Sequence, residues 1–289
     1  MTETRTSTTR IETSAASIYE SVRAAQRAGE TVGFVPTMGA LHAGHLSLVE
    51  ASLAECDKTI VSIFVNPTQF APSEDLDSYP RMLERDLELL RQRGCWLVFA
   101  PSVEEVFRPG HETYVEVGSV AEDWEGASRP THFRGVATVV LKLFQIVPAD
   151  RAYFGQKDYQ QSLVIKQLVA DLNVPIEIRV CPIVRESDGL AMSSRNAYLS
   201  AAERRQAGKL WQSLKLAEQL VSEGETNAAV ITEQMRQLLA PAEQMEVEYI
   251  ALLRAGTVCE VETVAGATVV AIAARVGQTR LIDNCTIGY

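Results

Sequence analysis

Two of the chain's four histidines, His42 and His45, stand three residues apart inside the stretch Gly33 to Glu50, between a predicted strand and a predicted helix. The apolar run Val32 to Val35 predicts a buried strand stopped at Pro36, and the amphipathic LSLVEASLAE predicts the helix that follows. Gly39 and Gly44 let a ligand approach the connecting backbone, and a helix starting near Gly44 points unpaired N–H groups and the positive end of its dipole into the loop. The chemistry on offer is anion binding. Imidazoles beside a helix N-terminus can donate hydrogen bonds to phosphate oxygens and stabilise charge that grows on them during reaction. Two plainer readings stand beside it. His-x-x-His is also a metal pair, although no third ligand in a zinc pattern lies nearby, and histidines in a loop can be ordinary hydrogen-bonded residues.

Three later segments carry polar side chains in comparable settings. Thr59 to Val65 predicts a second buried parallel strand, ending in Asn66-Pro67-Thr68-Gln69-Phe70. Ligands of open α/β sheets sit beyond the carboxyl ends of the strands, so Asn66 and Gln69 are expected to face the histidine loop's crevice; simple turn chemistry is the alternative for Asn66-Pro67. Ala152 to Phe154 is a short strand, Gly155 frees the backbone, Lys157 sits at the corner where an ammonium pairs with phosphate, and Asp158 can cap the next helix. Gln161 falls on that helix's first turn. Ser193, Ser194 and Arg195 place two hydroxyls and a guanidinium in succession, a set suited to phosphate oxygens and equally to an ordinary loop before a helix. Ser200 and Glu203 form a capping box for that helix. Arg129, His132 and Arg134 gather positive charge in another loop, either lining an anion pocket or simply decorating a polar turn.

The elements that must hold these residues follow from periodicity. Helices are expected at Ile18 to Arg27 and through the leucine-rich segment closed by Gly94, whose many charges read as a solvated face; Cys95 to Ala100 and Ile176 to Val180 are further strands, and VATVVLKLFQIV is an apolar helix. The pattern changes near Glu186. Helices at Ala201 to Glu223 and Asn227 to Leu239 precede alternating runs at Val247 to Leu252, Thr268 to Val276 and Thr279 to Ile287. The expected fold class is α/β: a Rossmann-like, doubly wound parallel sheet over 1–186, followed by a smaller C-terminal α+β domain over 187–289.

The 289 residues, 46% hydrophobic, can bury a substantial core. With 27 Lys+Arg against 37 Asp+Glu, the net charge of -10 disfavours nucleic acid as a partner but leaves room for a small anion in a focused pocket. Five scattered cysteines without a C-x-x-C pair predict free thiols and a cytoplasmic location. No apolar run is long enough to cross a bilayer, the N-terminus lacks a signal-peptide core, and its first ten or so residues are expected to be mobile.

PTMGALHAGH, FVNPTQF, FGQKDYQQ and MSSRNAYLS, in this order and at these separations, resemble the pantothenate synthetase family of HxGH nucleotidyltransferases over nearly the whole chain. The resemblance implies an enzyme that joins pantoate to β-alanine using ATP and Mg2+, releasing AMP and pyrophosphate, and that forms a homodimer. It implies ATP binding by Met38, Gly39, Ala40, Leu41, His42, Ala43, Gly44 and His45, by Gly155, Gln156, Lys157 and Asp158, and by Val184, Met192, Ser193, Ser194 and Arg195, a segment similar to the mobile KMSKS loop of class I tRNA synthetases. His45, assisted by His42, would stabilise charge or act as general acid, with Lys157 and Arg195 also catalytic. Gln69 and Gln161 would hold pantoate, with Asn66 beside them and Gln69 also bordering β-alanine. The metal ligands stay unassigned, Asp86 being the one carboxylate singled out. Many family members carry Glu where this chain has Ala43 and Gln156. The second domain is expected to serve as a lid. A related enzyme moving a nucleotide onto a phosphorylated small molecule, and a nucleotide sensor without catalysis, are the alternatives.

Overall fold

The computed structural model describes residues 9–71 and 74–288. It divides into two compact units, one of residues 1–155 and 164–181, the other of 156–163 and 182–289. The first unit follows a βα alternation: β1 (Arg10–Glu12), α1 (Ala15–Arg27), β2 (Val32–Thr37), α2 (Ala43–Glu55), β3 (Lys58–Ile63), α3 (Leu83–Gln92), β4 (Leu97–Phe99), the short helices α4 (Val103–Val106) and α5 (Glu125–Ser128), then α6 (His132–Ile146), β5 (Arg151–Gly155), α7 (Tyr159–Asp171), whose residues up to Leu163 are counted with the second unit, and β6 (Glu177–Cys181). The six strands pair in the order β1-β4-β3-β2-β5-β6, all parallel. Order reverses beside β2, the first strand flanked on both sides by crossovers of opposite direction, which is where doubly wound sheets open a crevice.

Pro36 does not stop β2 as its type predicts; the strand runs on to Thr37. The backbone explains why. Val32 bonds Asp150 ahead of β5 and Thr37 accepts from Phe64 after β3, so even-numbered residues of β2 face β5 and odd-numbered ones face β3. Pairing with β5 ends at Phe34, so the N–H that Pro36 lacks would have met no partner strand. The sequence reading missed β1, which has a single apolar residue, Ile11, and is defined by its pairing with β4. Thr9 and Arg10, expected to be mobile, are instead tied down through Cys95 and Trp96, and the rest of that expectation falls on residues 1–8, which lie outside the described residues.

The sheet's two faces are covered by separate apolar clusters. Ile18, Phe34, Ile60, Phe99, Val140 and Phe154 belong to one; Val35, Leu41, Val49, Val61, Leu87 and Leu90 belong to the other. Strands buried on both faces are mainly apolar, as β4 is throughout, while β2 and β3 also bury Thr37, Thr59 and Ser62. In the second unit α8 (Ala201–Ser222) and α9 (Ala228–Leu239) pack on an antiparallel sheet of β7 (Met245–Arg254), β8 (Thr268–Val276) and β9 (Thr279–Ile287), in the order β7-β8-β9. Ser200 and Glu203 form the expected capping box, and Asn227 caps α9. All five cysteines are free thiols. No helix among the described residues is long and apolar enough to cross a membrane.

Candidate functional site

In the first unit, the loop from β2 to α2 is held by its backbone. Thr37 Oγ1 donates to Ser62 O at 2.7 Å and accepts from Gly39 N. Gly39 (φ 85°) and Ala40 (φ 50°) both adopt the left-handed region, which only Gly enters freely. The strain at Ala40 is met by Asp86 of α3, whose two carboxylate oxygens accept from Ala40 N and Leu41 N, each at 2.8 Å. Asp86 is 0% exposed, and burial pushes its carboxyl up from the ordinary aspartate value against the pull of those two N–H groups. It therefore braces the loop, and each of its oxygens is engaged by a backbone N–H. Ala40 and Leu41 are likewise turned inward, their N–H groups spent on Asp86 and the Leu41 side chain 1% exposed in the core.

The sequence suggested unpaired N–H groups at the head of α2. Instead, the histidines cap the helix themselves. His42 is the N-cap, its Nδ1 accepting from Gly44 N at 3.1 Å, while His45 Nδ1 accepts from His42 N at 3.4 Å. An imidazole nitrogen that accepts an N–H carries no proton, so this geometry assigns the proton of each neutral ring to Nε2. The rings stack with centroids 4.0 Å apart and 35° between planes. A reciprocal cap thus turns two side chains into a pair of oriented Nε2–H donors at the positive end of a helix.

Gln69 closes a 3-10 turn, Pro67–Gln69, after β3. Asn66, 1% exposed, donates from Nδ2 to Gln69 Oε1 at 3.0 Å and to Gly135 O at 3.2 Å, and accepts at Oδ1 from Thr68 N and Oγ1. Its hydrogen-bonding capacity is spent inside the protein, so Asn66 orients Gln69 rather than meeting a substrate. Because Asn66 takes the carbonyl end, Gln69 presents Nε2, one N–H of which points at Met38 Sδ, 3.3 Å away. The turn packs against α6 through Gly135, where a Cβ would come within 2.2 Å of Thr68 O.

The cationic loop is not an anion pocket. Arg129 makes a bidentate pair with Glu74, both bonds 2.7 Å; Arg134 lies over the Tyr114 ring and pairs with Glu116 at 3.4 Å. His132 is buried with Nδ1 3.0 Å from Gln69 O, and burial lowers its pKa to about 4.

In the second unit, residues 156–158 and 182–196 supply the other candidates. Asn284 of β9 donates from Nδ2 to Gln156 O (2.9 Å) and Lys157 O (3.0 Å), which holds the corner carrying Lys157. Asp158 precedes α7, and its carbonyl accepts the helical bond from Ser162 N. Gln161 is half-buried on the first turn of α7. Residues 184–192 form a hairpin-like loop: Met192 N donates to Val184 O and Leu190 O accepts from Glu186 N. Ser193 caps the 3-10 turn Ser194–Tyr198 by accepting from Arg195 N. Arg204 of α8 grips both Glu186 and Asp188, holding each carboxyl below its usual range.

Gly135, Asp283 and Asn284 escaped the sequence reading, as did the bracing role of Asp86. A signal existed for the two carboxylates. Asp86 falls in the apolar stripe of Leu83, Leu87 and Leu90, and Asp283 in the inward register of Leu281, Cys285 and Ile287. A charge in an apolar register marks a buried partner.

A parallel α/β sheet whose helix between β2 and β3 is headed by His42-Ala43-Gly44-His45 places the molecule in the class of HxGH α/β enzymes. Comparison narrows the class. The family model described as pantoate-beta-alanine ligase matches residues 10–286, and the chain belongs to that family. The pantothenate synthetase of Moorella thermoacetica is 52% identical over 272 residues, 94% of this chain and 96% of that relative. The crystal structure of pantothenate synthetase from Thermus thermophilus has a TM-score of 0.92 at 42% identity, covering 97% of this chain and 100% of that one. Pantoate-beta-alanine ligase from Francisella tularensis, solved with Beta-gamma ATP and beta-alanine, has a TM-score of 0.80 at 35% identity, covering 96% of this chain and 97% of that one.

Proposed function

We propose that this enzyme condenses pantoate with β-alanine in two displacements driven by ATP. A free carboxylate is a poor electrophile with a poor leaving group, so amide formation needs activation. Pantoate's carboxylate oxygen attacks the α-phosphorus of ATP, giving a pantoyl adenylate and expelling pyrophosphate. The β-alanine amine then attacks the acyl carbon, and AMP leaves. The observation that carries this reading is the reciprocal histidine cap, which sets two Nε2–H donors at the head of α2. The relative bound to Beta-gamma ATP and beta-alanine supports the same two substrates.

Charge grows on the departing pyrophosphate in the first step. His42 and His45 donate to it, and Lys157 and Arg195 add full positive charge; a preorganised donor of this kind contributes about 3 to 4 kcal/mol. Gly39, Ala43, Gly44, Gly155 and Gln156 bring backbone near the nucleotide, with Val184, Met192, Ser193 and Ser194 completing its grip. Gln69, aimed by Asn66, and Gln161 orient the attacking carboxylate in line with the phosphorus. Neutral amides suit this task, since a guanidinium on the nucleophile would withdraw the electron density the reaction uses. Among the described residues no three His, Cys, Asp or Glu side chains converge, and Mg2+ needs few protein ligands when it rides on substrate phosphates. The metal is assigned to the phosphates of its substrate, and no step runs through it. We read a homodimer from the family resemblance and a cytoplasmic location from the five unpaired cysteines.

Exchange of labelled pyrophosphate into ATP, with pantoate as the only other substrate, tests the adenylate directly. Exchange that depends on pantoate and not on β-alanine is expected. Exchange that requires β-alanine would point to a concerted route and refute the intermediate.

A further inference from the structure

Two chain segments of the second unit assigned above to ATP, 156–158 and 184–195, are far apart in sequence, and both are tied to one dipeptide of β9. Asp283 and Asn284 are each 2% exposed and, as neighbours on a strand, face opposite sides of the sheet. Asn284 shares its side with Thr286; there its amide donates to Gln156 O and Lys157 O, and Gln156 Nε2 lies 3.4 Å from Thr286 Oγ1. Asp283 lies on the core side with Leu281 and Cys285. It takes Arg185 through both guanidinium nitrogens, at 2.6 and 3.0 Å, and Arg185 also donates to Asn284 O (3.2 Å) and Gly189 O (3.0 Å). The guanidinium is stacked on Trp211, 3.7 Å from the ring centroid, so it has little freedom to move. A buried ion pair on an apolar face costs desolvation that an aliphatic pair would avoid, so fold stability alone does not call for it.

We propose that Asp283 and Asn284 are positioning residues for ATP, setting the Lys157 corner and the 184–195 segment in register with each other through β9. This rests on the assignment of both segments to ATP. Lys157 depends on Asn284 because its ammonium hangs from a backbone whose carbonyl is pinned by that amide. The 184–195 segment depends on Asp283 because Arg185 opens it and Gly189, at its turn, is bonded by the same guanidinium. Neither β9 residue touches the reacting atoms.

The test measures ATP and pantoate KM, and the pyrophosphate exchange rate, in the full-length enzyme carrying Asn284→Leu, Asn284→Gln or Arg185→Lys, with Lys157→Ala as reference. Asn284→Leu loses both donors in a similar volume, and ATP KM is expected to rise about tenfold, the equivalent of one or two hydrogen bonds, while pantoate KM moves less than about twofold. Asn284→Gln keeps the donors and recovers part of the loss; Arg185→Lys, which keeps charge but not the bidentate fork, raises ATP KM as well. A general structural defect would move both KM values and give no rescue. Should Asn284→Leu fail to fold, the Gln and Lys variants carry the same comparison. If Lys157→Ala disables ATP use while folded Asn284 and Arg185 variants keep wild-type ATP KM, the positioning role is wrong and the ATP assignment survives. If Lys157→Ala itself leaves ATP use unchanged, the assignment fails and the positioning role with it.

Discussion

Replacing Asp86 by Asn separates loop bracing from direct chemistry, because the side chain changes by one atom and sits 0% exposed. Two N–H groups, at Ala40 and Leu41, each point at a carboxylate oxygen 2.8 Å away. The amide keeps one acceptor and turns an NH2 toward the other N–H, so one buried donor loses its partner and meets a second donor. Hydrogen bonds to charged groups contribute about 1.5 to 3 kcal/mol, and an unsatisfied buried donor costs about 1 to 3 kcal/mol. A net penalty of about 2 to 3 kcal/mol falls on a loop already strained at Ala40. The loop relaxes, and the reciprocal cap of His42 and His45 loses its fixed start. Pyrophosphate exchange with ATP and pantoate is expected to drop about 30- to 150-fold, from that penalty expressed as a rate. Thermal unfolding should shift down by roughly 4 to 12 °C. The wild-type exchange rate should also fall on its acid side at a higher pH than an ordinary aspartate would give, since burial raises the Asp86 carboxyl and its protonation removes one acceptor. In Asp86→Asn that limb is absent. A folded variant that exchanges within about threefold of wild type would show that the loop does not need this brace.

Further outcomes are expected at the other residues of the site. His45→Ala removes a donor and half of the helix cap, so single-turnover adenylate formation should fall about 100- to 1,000-fold with circular dichroism unchanged, and a rate within a few-fold of normal would remove His45 from the mechanism. Gly135→Ala pushes a methyl to within 2.2 Å of Thr68 O, so α6 and the Gln69 turn must part; stability should drop by at least about 1 to 3 kcal/mol and pantoate KM should rise, whereas an unchanged melting temperature would contradict the packing. His132 has a folded pKa of about 4, below its ordinary 6.5, so the stability gained from keeping it neutral is complete above pH 6.5 and lost as pH falls from 6.5 to 4. That window is worth about 3 kcal/mol. His132→Asn, which can keep the bond to Gln69 O without titrating there, should flatten the urea-unfolding free energy across it; an unaltered slope would place the acid sensitivity elsewhere.

Much of this enzyme was legible in its residues. Buried parallel strands announce themselves as continuous apolar runs, and β2, β3 and β5 did so; α8, α9 and the three strands of the second sheet follow from plain periodicity and caps. The histidine pair and its glycines were visible because phosphate chemistry demands particular residue types beside a helix start. What the chain order could not convey was the use to which each polar group is put. Asn66 has the side chain of a substrate contact and is consumed by backbone and neighbours from elsewhere in the sequence, and Asp86, which could pass for a surface carboxylate, is buried as the acceptor for two backbone N–H groups of another loop. Arg129 and His132 look like an anion pocket until Glu74 and the carbonyl of Gln69 are placed beside them. Local types and spacings determined the strands, helices and chemical candidates, because those depend on short-range sterics and on which face is apolar. Tertiary structure alone decided which candidates are already spoken for, because a hydrogen bond depends on distances of a few ångströms between groups that lie far apart along the chain.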